Sequence, residues 1–298
     1  MTFRPPVPTL DRFVRWPADF GQRFTICVDT EEEFDWSRPF SRENRAVTTT
    51  AAIPAATRRF ADLGAALTFL VDHPIATDPA SIAAIGQALA DGGAAVGSQL
   101  HPWVNPPFDE AVTVANSYPG NLPAALEAAK LDVLGAAITS AFGVVPRIYR
   151  AGRYGIGANT HGLLAARGYV VDSSMRARFD YSAQGGPDFS RIGNDAFVTD
   201  QSGLIELPLT TVDTGVLRGA GGALYRAMAH VPRGRGVLAR TGLLNRVALT
   251  PEGIPLREAL EAVRVVVGEG LPLLNFSFHS PTLVAGYTPY ARDAAGVA

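Results

Sequence analysis

Cysteine is nearly absent: Cys27 is the only one in 298 residues. No disulfide can form within the chain, and a zinc site built on cysteine thiolates is excluded. Cys27 lies in an apolar run and reads as a small buried hydrophobe. Charge is also scarce. Asp, Glu, Lys and Arg make up 18% of the residues, against about 25% in an average globular protein. That speaks against a disordered or coiled-coil chain. Neither sign dominates, the formal net charge being −2, and no dense basic cluster gives an electrostatic basis for nucleic-acid binding. The one basic-rich stretch, Arg233 to Arg246, is interrupted by glycine and apolar residues and reads as surface loop and helix. No segment approaches ~18 uninterrupted apolar residues, so no transmembrane helix is expected. The first 17 residues mix Arg, Pro and Asp and lack the apolar stretch of a secretory signal, which makes a soluble cytoplasmic protein the expectation. The phosphate loop G-x-x-x-x-G-K-[ST], the H-E-x-x-H zinc motif and the G-x-S-x-G serine elbow are all missing.

What is present is a 47% hydrophobic chain, long enough for one large α/β domain. Residues 1–22, punctuated by Pro5, Pro6, Pro8 and Pro17, read as an irregular lead-in. From there strands and helices alternate. Strands are expected at 24–28, 67–71, 94–97, 146–149, 169–171, 205–208 and 273–278, and helices at 49–63, 81–91, 122–142, 159–167 and 256–268. This is the βαβ rhythm of a parallel sheet or barrel, in one domain over 23–298. Residues 175–250 break the rhythm as a Gly- and Arg-rich insertion, a candidate lid or binding loop.

Polar residues fall where strands end, the working positions of α/β barrels. After the first strand come Asp29-Thr30-Glu31-Glu32-Glu33-Phe34-Asp35-Trp36. Alternate residues of an extended chain share a face, so Asp29 and Glu31 point together. Two such carboxylates can divide labour, one holding a divalent cation and the other accepting a proton from water. His101 follows the third strand in the stiff sequence His101-Pro102-Trp103-Val104-Asn105 and is a candidate metal ligand. Arg150 ends the fourth strand in Arg150-Ala151-Gly152-Arg153-Tyr154-Gly155, where it can pair with a site carboxylate. Asp172-Ser173-Ser174 ends the fifth. His279-Ser280-Pro281 ends the last, placing a candidate general acid there.

This order of motifs resembles the polysaccharide deacetylases, the NodB-homology proteins of carbohydrate esterase family four. The nearer likeness is to the WalW-like branch, and it covers roughly residues 23–290. The resemblance implies a distorted (β/α)7 barrel, a divalent metal, usually zinc, and hydrolysis of acetyl groups on a carbohydrate. It makes Asp29 the catalytic base, Arg150 the residue that orients it and His279 the general acid. Glu31, His101 and Asn105 become the metal ligands, and Trp36, Trp103, Tyr154 and Asp172 line the substrate groove. Glu32 and Glu33 are left to support or solvent. The chain departs from the family where a second histidine is expected. Counted from Gly97 the first histidine position is Gln99; counted from His101 the second is Asn105; His73 is a further substitute. Two alternatives therefore stand beside a deacetylase: a carbohydrate-binding protein with a degenerate metal site, and a hydrolase of small non-peptide amides.

Overall fold

The computed structural model describes residues 2–35, 37–199 and 202–297. Ten strands are present among them: β1 Arg23–Thr30, β2 Leu67–Val71, β3 Ala94–Leu100, β4 Ile148–Ala151, β5 Val171–Asp172, β6 Phe197–Val198, β7 Ile205–Glu206, β8 Thr211–Thr214, β9 Asn245–Ala248 and β10 Leu273–His279. Eight form one sheet in the order β10-β1-β2-β3-β4-β5-β7-β6. Seven of these run parallel and only β6 pairs antiparallel, which agrees with the expected (β/α)7 arrangement. Strands β8 and β9 form a separate antiparallel ribbon.

Hydrogen bonds beyond the strand ends bring the two edges of the sheet together. The segment after β7 bonds on one side to the continuation of β5, through Leu207 N–H to Asp172 O and Leu209 N–H to Met175 O, each 2.8 Å. On the other side Thr210 N–H donates to Asn275 O of β10 at 3.2 Å, and Ser277 N–H donates to Leu249 O at 3.0 Å. The closure is a loose seam, which is why the barrel is distorted.

The main helices are α1 Ile53–Asp62, α2 His73–Thr77, α3 Pro79–Ala90, α4 Ala124–Phe142, α5 Thr160–Ala165, α6 Gly221–Ala227, α7 Gly234–Arg240, α8 Leu256–Gly268 and α9 Ala294–Val297. Their starts follow local chemistry. Asp72 caps α2 by accepting from Ile75 N–H at 2.9 Å, and Asp78 caps α3 by accepting from Ser81 N–H at 2.7 Å, each with proline in the first helical turn. Helices and sheet enclose a core of Val28, Phe69, Ile85, Leu134 and Tyr149 among others, while α8 covers a smaller cluster around Val247, Val266 and Leu274. No helix of the described residues is long and apolar enough to cross a membrane. The lead-in lies along the barrel rather than apart from it: Val14 N–H donates to Ala196 O at 2.9 Å, and Asp188 N–H to Phe3 O at 2.9 Å.

The interior of the barrel is polar. Arg150 is fully buried and donates Nε–H to Ser173 O at 2.9 Å, Nη2–H to Ser173 Oγ at 2.9 Å and Nη1–H to Asp29 Oδ1 at 2.6 Å and to Ser277 Oγ. Asn275 Nδ2 donates to Ser173 Oγ and to Leu207 O, each at 2.9 Å. Asn275, Ser277 and His279 occupy every second position of β10. Their register partners on β1 are Thr25, Cys27 and Asp29, so period-two alternation sends this whole set to one face.

Candidate active site

Five of the expected residues converge at the C-terminal mouth of the barrel. Asp29, buried at the end of β1, offers Oδ1 to Arg150 and turns Oδ2 toward His279 Nε2, 3.8 Å away. Glu31 lies one residue beyond the strand, its backbone N–H donating to Ser280 Oγ at 3.3 Å. Its Oε1 stands 3.9 Å from His279 Nε2 and its Oε2 stands 3.4 Å from His101 Nε2. Burial pushes the Glu31 carboxyl up to about 8, against the pull of His279 and His101. An anchored carboxylate with one free oxygen, facing an imidazole and a second carboxylate, can pass protons to and from a molecule held between them.

Two carboxylates that the sequence left without a role hold the histidines. Glu252 accepts from His279 Nδ1 at 2.6 Å, from the His279 backbone N–H at 2.9 Å and from Thr282 Oγ1 at 2.6 Å. Burial by itself lowers His279, but the charges of Glu252 and Glu31 outweigh it and hold the imidazole well above its ordinary value. Glu32, fully buried, bonds His101 Nδ1 at 2.8 Å and accepts from Trp103 Nε1–H at 2.7 Å. The only sequence signal for Glu252 was a Thr-Pro-Glu turn ahead of α8; for Glu32 it was the acidic run itself.

Two groupings of described residues have the geometry to hold a metal ion, Glu32–Asp72–His101 and His161–Asp172–Glu206. In the first, both Glu32 oxygens already accept hydrogen bonds, and Asp72 caps α2 while accepting from Glu32 N–H at 3.0 Å. It therefore orients His101 Nε2 toward Glu31, as carboxylates behind metal-binding histidines do. The 3.4 Å between Glu31 Oε2 and His101 Nε2 matches the roughly 3.4 Å between two donors that share a tetrahedral zinc. Asn105 N–H donates to His101 O at 3.1 Å, one turn on, and Asn105 Oδ1 is buried without a partner; so is Gln99 Oε1, at the end of β3 in register with Arg150. Glu31 and His101 are therefore spaced to share a divalent cation through one carboxylate oxygen and one imidazole, and the unpartnered amide oxygens of Gln99 and Asn105 lie on the strand and loop that carry His101. His73 is in neither of the two groupings, and its Nδ1 is buried without a partner. It opens α2, has no carboxylate within 4.0 Å among the described residues, and is pushed down to about 4 by burial and by Arg45.

The groove assignments need correction at two residues. Trp103 is only 2% exposed. Its ring stacks on His101 with centroids 4.4 Å apart and packs against Phe40, so it braces the site from behind and presents no face to a sugar. Asp172 is fully buried on the outer side of the barrel. Strand alternation is the reason: Ser173 faces Arg150 inside, so Asp172 must face α5, where it meets His161 Nε2 at 3.0 Å. Tyr154 is half-buried beside the centre, its ring 5.8 Å from the Arg150 guanidinium and stacked on Tyr181. Arg153 and Tyr154 both take left-handed φ angles, 56° and 58°, a conformation that costs a non-glycine residue of order 1 kcal/mol or more. Gly152 just before them is required, because a Cβ there would run into the His101 ring and Leu100 O. Trp36 lies outside the described residues.

The outer cluster has its own consequence. Burial lowers His161, but hydrogen bonds to Asp172 and Glu206 outweigh it and raise the imidazole to about 10. Burial, and then Asp172, lift Glu206 to about 8, and burial lifts Glu127 to about 7. All three hold their protons more tightly folded than unfolded. Their contribution to stability is therefore complete below the unfolded values, roughly 4.3 for the acids and 6.5 for histidine, and is lost as pH rises through the folded ones. The melting temperature should fall by roughly 5 °C or more between pH 6 and pH 10, and Glu206→Gln should flatten part of that slope. A melting temperature constant over this range would contradict the assignment.

Comparison with protein-family models and with curated proteins gives no match. Solved structures do match. The structure assigned as a polysaccharide deacetylase from Mycobacterium smegmatis superimposes with a TM-score of 0.53 at 17% identity, over 93% of this chain and 82% of that one. The protein assigned as a glycoside hydrolase or deacetylase from Parabacteroides distasonis gives 0.57 at 12% identity, over 88% and 62%. Puue allantoinase gives 0.51 at 14% identity, over 95% and 83%. At these identities the likeness speaks for the fold alone. The chain has the distorted (β/α)7-barrel fold of the polysaccharide deacetylases.

Proposed function

We propose that this protein is a metal-dependent hydrolase that removes acetyl groups from a carbohydrate, in the manner of the WalW-like deacetylases. The observation that carries this reading is Asp29, fixed by Arg150 on one oxygen and turning the other toward His279, which Glu31 also faces. Glu31, His101 and Asn105 would hold the divalent ion, zinc or a harder ion suited to oxygen ligands. When bound, the ion polarises the acyl carbonyl and lowers the pKa of water. Asp29 takes the proton of the attacking water. Arg150 keeps Asp29 aimed and cannot itself give up a proton. His279, its Nδ1 committed to Glu252, presents Nε2 to the leaving nitrogen or oxygen and protonates it. Tyr154 lines the approach.

The enzymatic reading is preferred to a carbohydrate-binding protein without turnover because a candidate base and a candidate acid, Asp29 and His279, face each other at the barrel mouth. Hydrolysis of a small amide is the second reading, supported by the likeness to an allantoinase. The test joins metal analysis to acetate release. The purified protein should carry one equivalent of divalent ion, lost in Glu31→Ala, and should release acetate from N- or O-acetylated oligosaccharides. A wild-type protein that takes up no ion, or an ion retained in Glu31→Ala, would sink the reading; turnover of small amides alone would select the second.

A further inference from the structure

The Gly- and Arg-rich segment 175–250 supplies none of the catalytic or metal-binding residues described above, yet together with Val7 it builds a cavity of about 640 Å³. Four guanidinium groups line it, from Arg178, Arg191, Arg226 and Arg246. One carboxylate stands behind them. Asp213 on β8 accepts from Arg246 Nε at 2.8 Å and Nη2 at 3.3 Å, and from Arg178 Nη1 at 3.3 Å. No lining residue is acidic, so Asp213 offsets one of the four charges.

Two of the arginines are fixed and two are not. Arg246 pairs across the β8–β9 ribbon with Asp213, lies 4.0 Å over the Tyr225 ring and donates Nη1–H to Arg178 O at 2.8 Å. Arg178 is held in the left-handed region at φ 65°, where strain in a non-glycine residue persists only if its surroundings enforce it. Gly221 lets α6 settle on Asp213, since a Cβ there would lie 2.7 Å from Oδ2. By contrast, Arg191 and Arg226 are exposed and have no hydrogen bond and no carboxylate within 4.0 Å among the described residues. Side chains that gather like charge around a concavity without partners raise the local anion concentration.

We propose that this cavity is a binding site for a phosphorylated small molecule, with its phosphate held by Arg191 and Arg226 above the fixed Arg178–Asp213–Arg246 floor. The guanidinium fork matches phosphate oxygens two at a time, and a doubly charged phosphate offsets most of the surplus positive charge. The volume is within the roughly 300–1,000 Å³ of small-molecule pockets, which leaves space for the organic part beside the phosphate.

The test is calorimetric titration of the full-length protein with pyrophosphate at low ionic strength, for wild type and for the double variant Arg191→Gln/Arg226→Gln. Both positions are exposed, so the double variant should melt at the wild-type temperature. Wild type should bind, more weakly as salt rises, and the double variant at least tenfold more weakly. Absence of binding to wild type, or equal affinity in both proteins, overturns the proposal. Preference for glucuronate over pyrophosphate overturns the phosphate assignment. The readout is binding alone, so it does not depend on the acetyl-hydrolase reading.

Discussion

Asp29→Asn should leave the fold and the bound ion in place and reduce turnover by about three orders of magnitude, the usual worth of a positioned general base, or about 4 kcal/mol of barrier. The amide is nearly isosteric and can still accept from Arg150 Nη1–H through its carbonyl oxygen, so the polar interior keeps most of its bonds. What it loses is the basic oxygen facing His279. Circular dichroism and metal content should match wild type while acetate release disappears. Loss of the ion in this variant would mean that Asp29 is a ligand instead of the base. Undiminished turnover would remove it from the chemistry altogether.

Lys130→Met should cost about 3–5 kcal/mol of stability, the range found when one partner of a buried ionic network is removed. Lys130 is the only lysine in the chain and is fully buried. Its ammonium donates to Pro102 O at 2.9 Å, Asn105 O at 2.6 Å and Pro107 O at 2.6 Å, and stands 3.1 Å from Glu110 Oε1. Removal strands three carbonyl oxygens and a carboxylate at once. Those carbonyls belong to the loop that carries His101 and Asn105, so metal affinity should fall with stability. Denaturant unfolding of Lys130→Met, Glu110→Gln and the double variant separates the effects. The double variant should recover part of the loss, because it no longer buries an unpaired Glu110. A single variant as stable as wild type would show that the loop is held by something else.

The parallel fold was legible in the sequence because Leu67–Val71 is a mostly apolar run that stops at a polar residue, and residues 273–278 alternate Leu and Phe with Asn275 and Ser277 before stopping at His279. The seam was not. Segment 207–210 pairs with β5 on one side and β10 on the other, and nothing local marks a stretch whose partners are decided by barrel closure. The same holds for β6, β8 and β9, two to four residues long. At the site, Asp29, Glu31, His101, Arg150 and His279 could be read because each sits at, or just beyond, the C-terminal end of a strand. Asp172 looked identical by that criterion and failed it by one position, since a two-residue strand shows too little alternation to fix which face is which. Trp103 was placed in the groove by the family resemblance alone; its buried partner Glu32 was hidden in a run of three glutamates that pattern alone does not tell apart. Glu252 is distant in sequence from His279 and lies in a turn, where chemistry depends on tertiary approach.

The burial of the only lysine gives the protein an internal clock. Amine-reactive acylating reagents find no exposed side-chain amine on the folded surface, because every other basic side chain besides histidine is a guanidinium. Acylation at Lys130 must therefore wait for the His101 loop to lift, and its rate reads the opening of that loop directly.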